Sequence, residues 1–315
     1  MSPTRLRLVL AFVLTLAGLA QPTWAQKAKP KPAPKRPPAS PALVKVDGKA
    51  ITEADLQRML VKFGAAESPP PEKRKAFLQI LVDEALIRQF LASRKISVDK
   101  EIIDEQVQKL RRLIERKGNF EEHLQRTGYT LESLRDEFAL SLNWRAYLAQ
   151  VVTDEQIQQY FTEHHEELDG TKIRASHILI KAPTATENPE LEAARKKLED
   201  LRAEIVAGKI AFADAARKYS EAPSGEQGGD VDFFAYQGKM PEAFSKVAFH
   251  LKSGEVSQPF TTQFGVHLCV VTDRKPGDIS LEDVRSDVLG RIAQDLWTEK
   301  AAELRSRAKI EWLDK

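Results

Sequence analysis

The chain has 315 residues, enough for two ordinary domains, and its 42% hydrophobic, 30% charged composition is that of a globular protein. Net charge is +2, but seven bases (Arg5, Arg7, Lys27, Lys29, Lys31, Lys35 and Arg36) crowd the N-terminus. Removing those seven from 48 leaves 41 bases against 46 acids, which excludes a basic nucleic-acid footprint. One cysteine, Cys269, excludes an internal disulfide and any cysteine-built zinc or iron–sulfur site.

The first 25 residues place two arginines before an apolar run, Leu8 to Ala20, and then small residues. This is the order of a secretory signal, and Thr23-Trp24-Ala25 fits cleavage before Gln26. The other reading is an uncleaved anchor helix, for which the run is short of the ~20 residues a span needs. No cysteine follows, so lipid anchoring is not expected. Residues 26–41, QKAKPKPAPKRPPASP, hold six prolines and predict an extended linker. A plain spacer is the first reading, and contact with an acidic membrane surface the second.

VKVDGKAIT predicts a hairpin turning at Asp47-Gly48. Thr52 with Asp55 approximates a capping box. Pro69, Pro70 and Pro71 introduce a long helix with Phe77, Ile80, Leu81, Ile87, Phe90 and Leu91 on its face and Glu84 interrupting the stripe. Ser97 or Asp99 caps the next helix, and Gly118 is its expected stop. A short helix ends at Gly128, a longer one starts at Thr130, and Thr153 with Gln156 opens one more. Residues 50–168 thus read as amphipathic helix without a phosphate loop or a catalytic cluster. Such a set is either a plain bundle or a platform that offers apolar grooves to unfolded chains. His164-His165 has no metal-ligand spacing and reads as a solvated face.

KIRASHILIK opens a second region and SQPFTTQFGVHLCVVTDR closes it, and each end reads as a strand. Each carries a histidine in an apolar setting, His177 and His267, so the two can meet in one core. Between them come helices from Asn188-Pro189 and over Phe212 to Tyr219, the glycine-rich turn SGEQGGD, and a helix over Phe244 to Phe249. The order β, α, α, β, α, β makes a small α+β domain. A final helix, Leu281 to Arg307, and the alternating AKIEWLD are too small to fold alone. They are expected to return to the N-terminal helices, with the last strand placed to pair with VKVDGKAI.

ASHILIK, the helix FADAARKYS, GGD, QGKMPEAFSKVAF, LKSGEVSQPF and TQFGVH together resemble the parvulin-type peptidyl-prolyl cis–trans isomerases, over Lys172 to Arg274. The surrounding plan is similar, in layout and helix pattern, to SurA-like periplasmic chaperones. The resemblance implies a paired-histidine core of His177 and His267 with Thr262 beside it. It also implies a proline slot lined by Val231, Met240 and Phe244, with Phe234 and Phe264 nearby. Structural histidines and ordinary core packing are the competing readings. Isomerisation breaks no bond and crosses a barrier of roughly 20 kcal/mol, so binding the twisted amide suffices and no metal or cofactor is implied.

Two positions depart from the pattern. Ala222 stands where some members carry cysteine or aspartate, and Asp232 where glycine is usual. The loop KAPTATENPE has only Lys181 as a base, so no preference for phosphorylated residues is expected. Cys269, two residues from His267, is either a partner in a dyad or a small buried core residue.

The expected architecture is multidomain, α and α+β. A helical N-terminal chaperone-like module is completed by the C-terminal helix, and a parvulin domain, a small antiparallel sheet packed with helices, is inserted in it. The expected boundaries are 1–25 signal, 26–41 linker, 42–171 helical module, 172–274 parvulin domain and 275–315 returning helix and strand. The resemblance implies a periplasmic isomerase and folding chaperone for unfolded or proline-containing polypeptides. The protein would bind no nucleic acid and would not be stably inserted in a membrane after signal cleavage. The alternative is a holdase that uses the parvulin domain as a non-catalytic scaffold.

Overall fold

Asp47 and Gly48 both take positive φ, 48° and 81°, and turn strand β1 (Ala42–Val46) directly into β2 (Lys49–Thr52). Positive φ at both central residues is the hairpin turn whose twist matches that of the strands. The computed structural model that shows this describes residues 40–66, 68–183 and 188–313. The expected signal, its cleavage after Ala25, nearly all of the linker and part of the loop after Lys181 lie outside the described residues.

The chain divides into two compact units. The first comprises residues 40–153 and 290–313. Its sheet has the order β2-β1-β7, with β7 (Ile310–Trp312) antiparallel to β1 through Val44–Trp312 and Val46–Ile310. Bonds from Asp47 N to Lys309 O (2.9 Å) and from Lys309 N to Asp47 Oδ1 (2.9 Å) lock the hairpin turn to the C-terminal strand.

Thr52 and Asp55 form the capping box that starts α1 (Glu53–Lys62). Pro71 sits in the first turn of α2 (Pro71–Ser93), where its missing N–H has no helical partner to lose. Helix α3 spans Lys100–Glu115. It ends three residues ahead of the expected stop at Gly118, whose amide still bonds Ile114 O at 3.0 Å. Helix α4 (Phe120–Thr127) stops at left-handed Gly128, and Thr130 with Ser133 caps α5 (Leu131–Val151). Helix α2 buries Leu78, Val82 and Leu86 besides Phe77, Ile87 and Leu91. It serves two clusters: one under the β1–β2 sheet, and one with Trp144 and Trp297. Those indoles meet edge to face at 5.1 Å, worth about 1 kcal/mol beyond their buried area.

The second unit covers residues 154–289. It is wider than the expected 172–274, because helices α6 (Asp154–Glu163) and α7 (His165–Leu168) belong to it. Ile279 N donates to Asp169 O (2.9 Å), Gly277 N to Thr171 Oγ1 (3.0 Å), and Arg274 pairs with Glu166. Helix α11 (Leu281–Arg305) starts in this unit and ends in the first.

The remaining elements are β3 (Lys172–Lys181), α8 (Pro189–Val206), α9 (Phe212–Tyr219), a 3-10 turn (Pro223–Gln227), β4 (Asp230–Ala235), α10 (Glu242–Phe249), β5 (Phe260–Thr262) and β6 (Gly265–Lys275). The sheet is antiparallel with order β4-β3-β6-β5. Strand β5 is additional to the order read from the sequence, since three residues are too few to show alternation. Period two sorts the side chains between two cores. Ile178, Ile180, Val266 and Leu268 pack with Ala194, Leu198 and Ala215 of α8 and α9. Ile173, Ala175, Cys269 and Val271 pack with Phe244, Ala248 and Phe249 of α10.

Two backbone positions beside β4 behave oppositely. At Gly229, φ is +82° and a Cβ would stand 2.3 Å from His177 O, while Gly229 O accepts His177 N at 2.9 Å. Gly229→Ala is therefore expected to destabilise this unit by about 3 kcal/mol or more, read by urea denaturation. Asp232 holds φ at 57° without being glycine, its amide donating to Asp230 Oδ1 at 2.9 Å. Asp232→Gly is expected to raise stability by about 0.5–1 kcal/mol, the relief of left-handed strain exceeding the entropy of glycine. A loss of stability there would show that the turn bond outweighs the strain.

Candidate active site

Register decides what the histidines can do. Strands β3 and β6 pair His177 with Cys269 and Leu179 with His267. The two imidazoles are thus diagonal neighbours on one face of the sheet, toward α10. Their Nδ1 atoms lie 3.3 Å apart, with ring centroids at 5.5 Å and planes 20° from parallel. Both residues are buried.

The far nitrogens are also engaged. His177 Nε2 lies 2.9 Å from Ser224 Oγ, and His267 Nε2 lies 2.8 Å from Thr262 Oγ1. Phe264 N donates to Thr262 Oγ1 at 3.2 Å. A neutral imidazole has one N–H and one bare nitrogen. If Thr262 O–H donates to His267 Nε2, then His267 Nδ1–H donates to His177 Nδ1 and His177 Nε2–H donates to Ser224. This polarity, assigned from the bond count, leaves over only the hydroxyl proton of Ser224, which is half-buried, whereas Thr262 is buried. The reverse polarity leaves the Thr262 proton without a partner.

Burial depresses His177 from 6.5 to about 4. Burial, with the neighbouring His177, depresses His267 to about 3. Both rings are neutral at physiological pH, and the Nδ1–Nδ1 contact requires one of the two nitrogens to be bare. Aromatic rings complete their surroundings. Phe244 stands edge-on to both imidazoles at 5.6 and 5.7 Å, and Phe260 stacks on His267 at 5.5 Å.

The residues assigned to a slot fall at different depths. Phe244 and Phe234 are buried, at 0% and 2% exposure, so they form a floor rather than a wall. Val231 and Met240 are half-buried against the same cluster and face outward enough to be touched. Phe264 is 52% exposed at the β5–β6 turn. Lys239 Nζ donates to Val231 O at 2.5 Å and steadies that wall. Ala222 is buried beside the 3-10 turn and offers only a methyl group, and Glu221 Oε2 is taken by Lys181 N at 2.8 Å.

Sequence reasoning missed Ser224 and Phe260. Ser224 lay in a segment read only as a turn, and its signal was a hydroxyl five residues before the glycine that bonds His177. Phe260 sits two residues before Thr262 on the strand that was not expected. Cys269 is a core residue. It is fully buried, its amide donates to Ser257 Oγ at 3.0 Å, and burial pushes its thiol up to about 12. Among the described residues no cluster of histidine, cysteine and acids could hold a metal ion. No described helix is long and apolar enough to cross a membrane.

Residues 177–273 match the PPIC-type PPIASE (rotamase) domain family. Foldase protein PrsA of Halalkalibacterium halodurans is 32% identical over 285 residues, spanning 87% of this chain and 77% of that one. Chaperone SurA of Alkalilimnicola ehrlichii is 27% identical over 288 residues, spanning 85% of this chain and 65% of that one. A solved peptidylprolyl isomerase (PrsA) from Bacillus anthracis aligns with 73% of this chain and 96% of its own, at 19% identity and a TM-score of 0.44. On the sequence match, the chain belongs to the PrsA-type foldases, carries a PPIC-type domain, and is a parvulin-type peptidyl-prolyl cis–trans isomerase.

Proposed function

We propose that this protein acts outside the cytoplasm, turning X–Pro bonds in unfolded envelope or secreted polypeptides and holding those chains while they fold. The order of charge, apolar run and small residues at the N-terminus supports the location. The observation that carries the catalytic reading is the bonded pair of neutral imidazoles directly under apolar, touchable side chains.

In this reading Val231 and Met240 grip the proline ring, with Phe234 and Phe244 as the floor and Phe264 at the outer edge. Rotation disrupts amide resonance, and the enzyme gains rate by binding the twisted form better than the planar one. His177, His267 and Thr262, with Ser224, act as a fixed polar base for that slot. Proton transfer is not their task, because neutral imidazoles with pKa near 3 and 4 are poor bases. The Ala222 methyl adds no hydrogen bond beside the amide, which leaves shape and desolvation to carry the step.

Met240→Ala removes most of one slot wall. It is expected to lower kcat/KM toward a proline tetrapeptide about tenfold or more while leaving the fold intact. A rate equal to wild type in a protease-coupled assay would sink the slot assignment. The histidines set a second expectation. Their folded-state pKa values lie below the unfolded value, so the unfolded chain takes up protons first as pH falls. Their contribution to stability is complete above about pH 6.5 and is lost as pH drops toward about 4. Stability of the full chain should decline over that window, and in an NMR titration neither ring should protonate above about pH 5. Protonation of either ring near its ordinary value would contradict the buried pair.

A further inference from the structure

The helical unit contains a cleft of about 510 Å³ between α1, α2 and α5. A volume of this size holds a few side chains of a bound segment. Its apolar walls are Met59, Leu81, Leu91 and Leu140. Its charged lining is Asp55, Arg58 and Lys62 from α1, Glu84 and Arg88 from α2, and Asp136 and Glu137 from α5. Four acids meet three bases, so the lining is one cation short.

The most poorly served of the acids that are not exposed is Glu84, whose one ion pair among the described residues is a 4.0 Å contact with Arg88. Arg58 pairs with Asp55. Lys62 pairs with Glu137 at 2.6 Å, and Tyr129, just before α5, donates its hydroxyl to the other Glu137 oxygen at 2.6 Å. Arg88 donates to the Asp136 carbonyl at 2.5 Å and stands 4.0 Å from Glu84. Asn143 Oδ1 accepts Val98 N at 2.8 Å. Glu84 has no hydrogen bond among the described residues, and only 17% of its side chain is exposed. Burial lifts its carboxyl above the usual range, Lys62 and Arg88 pull it down, and Glu137 and Asp55 push it up. A buried acid without a hydrogen bond is an expensive thing to keep in a helix that otherwise serves two apolar cores.

We propose that this cleft binds extended polypeptide segments in which an arginine or lysine adjoins an apolar residue, the cation meeting Glu84 and the apolar side chain meeting Met59, Leu81 and Leu140. The proposal rests on the reading of the protein as a foldase for unfolded chains, and it specifies which segments the helical unit prefers. A guanidinium fits best, since it bonds a carboxylate through two parallel N–H groups. Apolar segments without a cation leave Glu84 buried and unmet. Acidic segments add a fifth acid to the lining. A bound cation favours the ionised carboxyl, so affinity for basic segments rises as pH climbs through the titration of Glu84, and binding below it releases a proton.

The test is calorimetric titration of the full chain with two capped, proline-free decapeptides, one alternating leucine with arginine and its twin with glutamine for arginine. At neutral pH the arginine peptide is expected to bind about tenfold tighter than its twin, the equivalent of about one strong charge-assisted bond. That advantage should shrink as the pH is lowered and Glu84 takes up its proton. Glu84→Gln should bring the two affinities together and abolish the pH dependence, with its folding checked by circular dichroism. Asp136→Asn, at the exposed rim, should reduce the preference by a smaller factor. Should Glu84→Gln not fold, the pH dependence of the wild type decides alone. Equal affinity for the twins, or a preference that survives Glu84→Gln, overturns the proposal. If the twins bind equally while the protein still suppresses aggregation of an unfolded client, the cleft assignment falls and the foldase reading stands. If neither peptide binds and no aggregation is suppressed, both fall.

Discussion

Two imidazoles can face each other through their Nδ1 atoms only while one of those nitrogens is bare, so the pair cannot be protonated at both rings. The contact between His177 and His267 therefore depends on everything that keeps water from the rings. The burial that depresses their basicity comes from Phe244 across both edges and Phe260 on one face. The strands that carry the rings come from residues ninety positions apart. The pair thus acts as a pin through the middle of the sheet. It joins β3 to β6 directly, and through Ser224 and Thr262 it reaches the 3-10 turn and β5. Those two segments border the Val231–Met240 wall, so the rim and the core share one network of bonds.

The helical unit solves a different problem. Its helices present more apolar surface than one stripe requires, and α2 resolves this by serving two clusters at once. The indoles of Trp144 and Trp297 close the second cluster with side chains far apart in the sequence. What remains is a cleft lined by seven charged side chains, one of which, Glu84, has an ion pair at 4.0 Å and no hydrogen bond among the described residues.

Elements with a local cause were legible in the residues. The Asp47-Gly48 turn, the Thr52 and Thr130 caps, the stop at Gly128 and the helix over Phe212 to Tyr219 all follow from side chains within four positions. The paired histidines were legible for another reason: a polar residue inside an apolar strand needs a partner. What escaped was set by distance. Strand β5 exists because β6 holds it, with Arg195 of α8 donating to Pro259 O and Thr261 Oγ1. Ser224 became a partner of His177 only once Gly229 had drawn the 3-10 turn against β3. At Asp232, where glycine is usual, the bond from its own amide to Asp230 lets a non-glycine residue adopt the left-handed turn. Depth could not be read at all: Phe234 and Phe244 as a floor and Phe264 at the edge are facts of packing.

The strand β7 closes the first sheet on β1 across more than 260 residues of chain. Loop closure over such a span costs entropy that no local contact returns. The central unit, continuous in sequence, has no such wait. During synthesis it can assemble as soon as Leu289 is available, whereas the helical unit lacks Trp297 and its third strand until residues 297–312 have followed. For most of its own birth, this chain is an unfolded polypeptide with apolar helices in search of partners. It passes through the condition that, as a finished molecule, it is proposed to relieve in others.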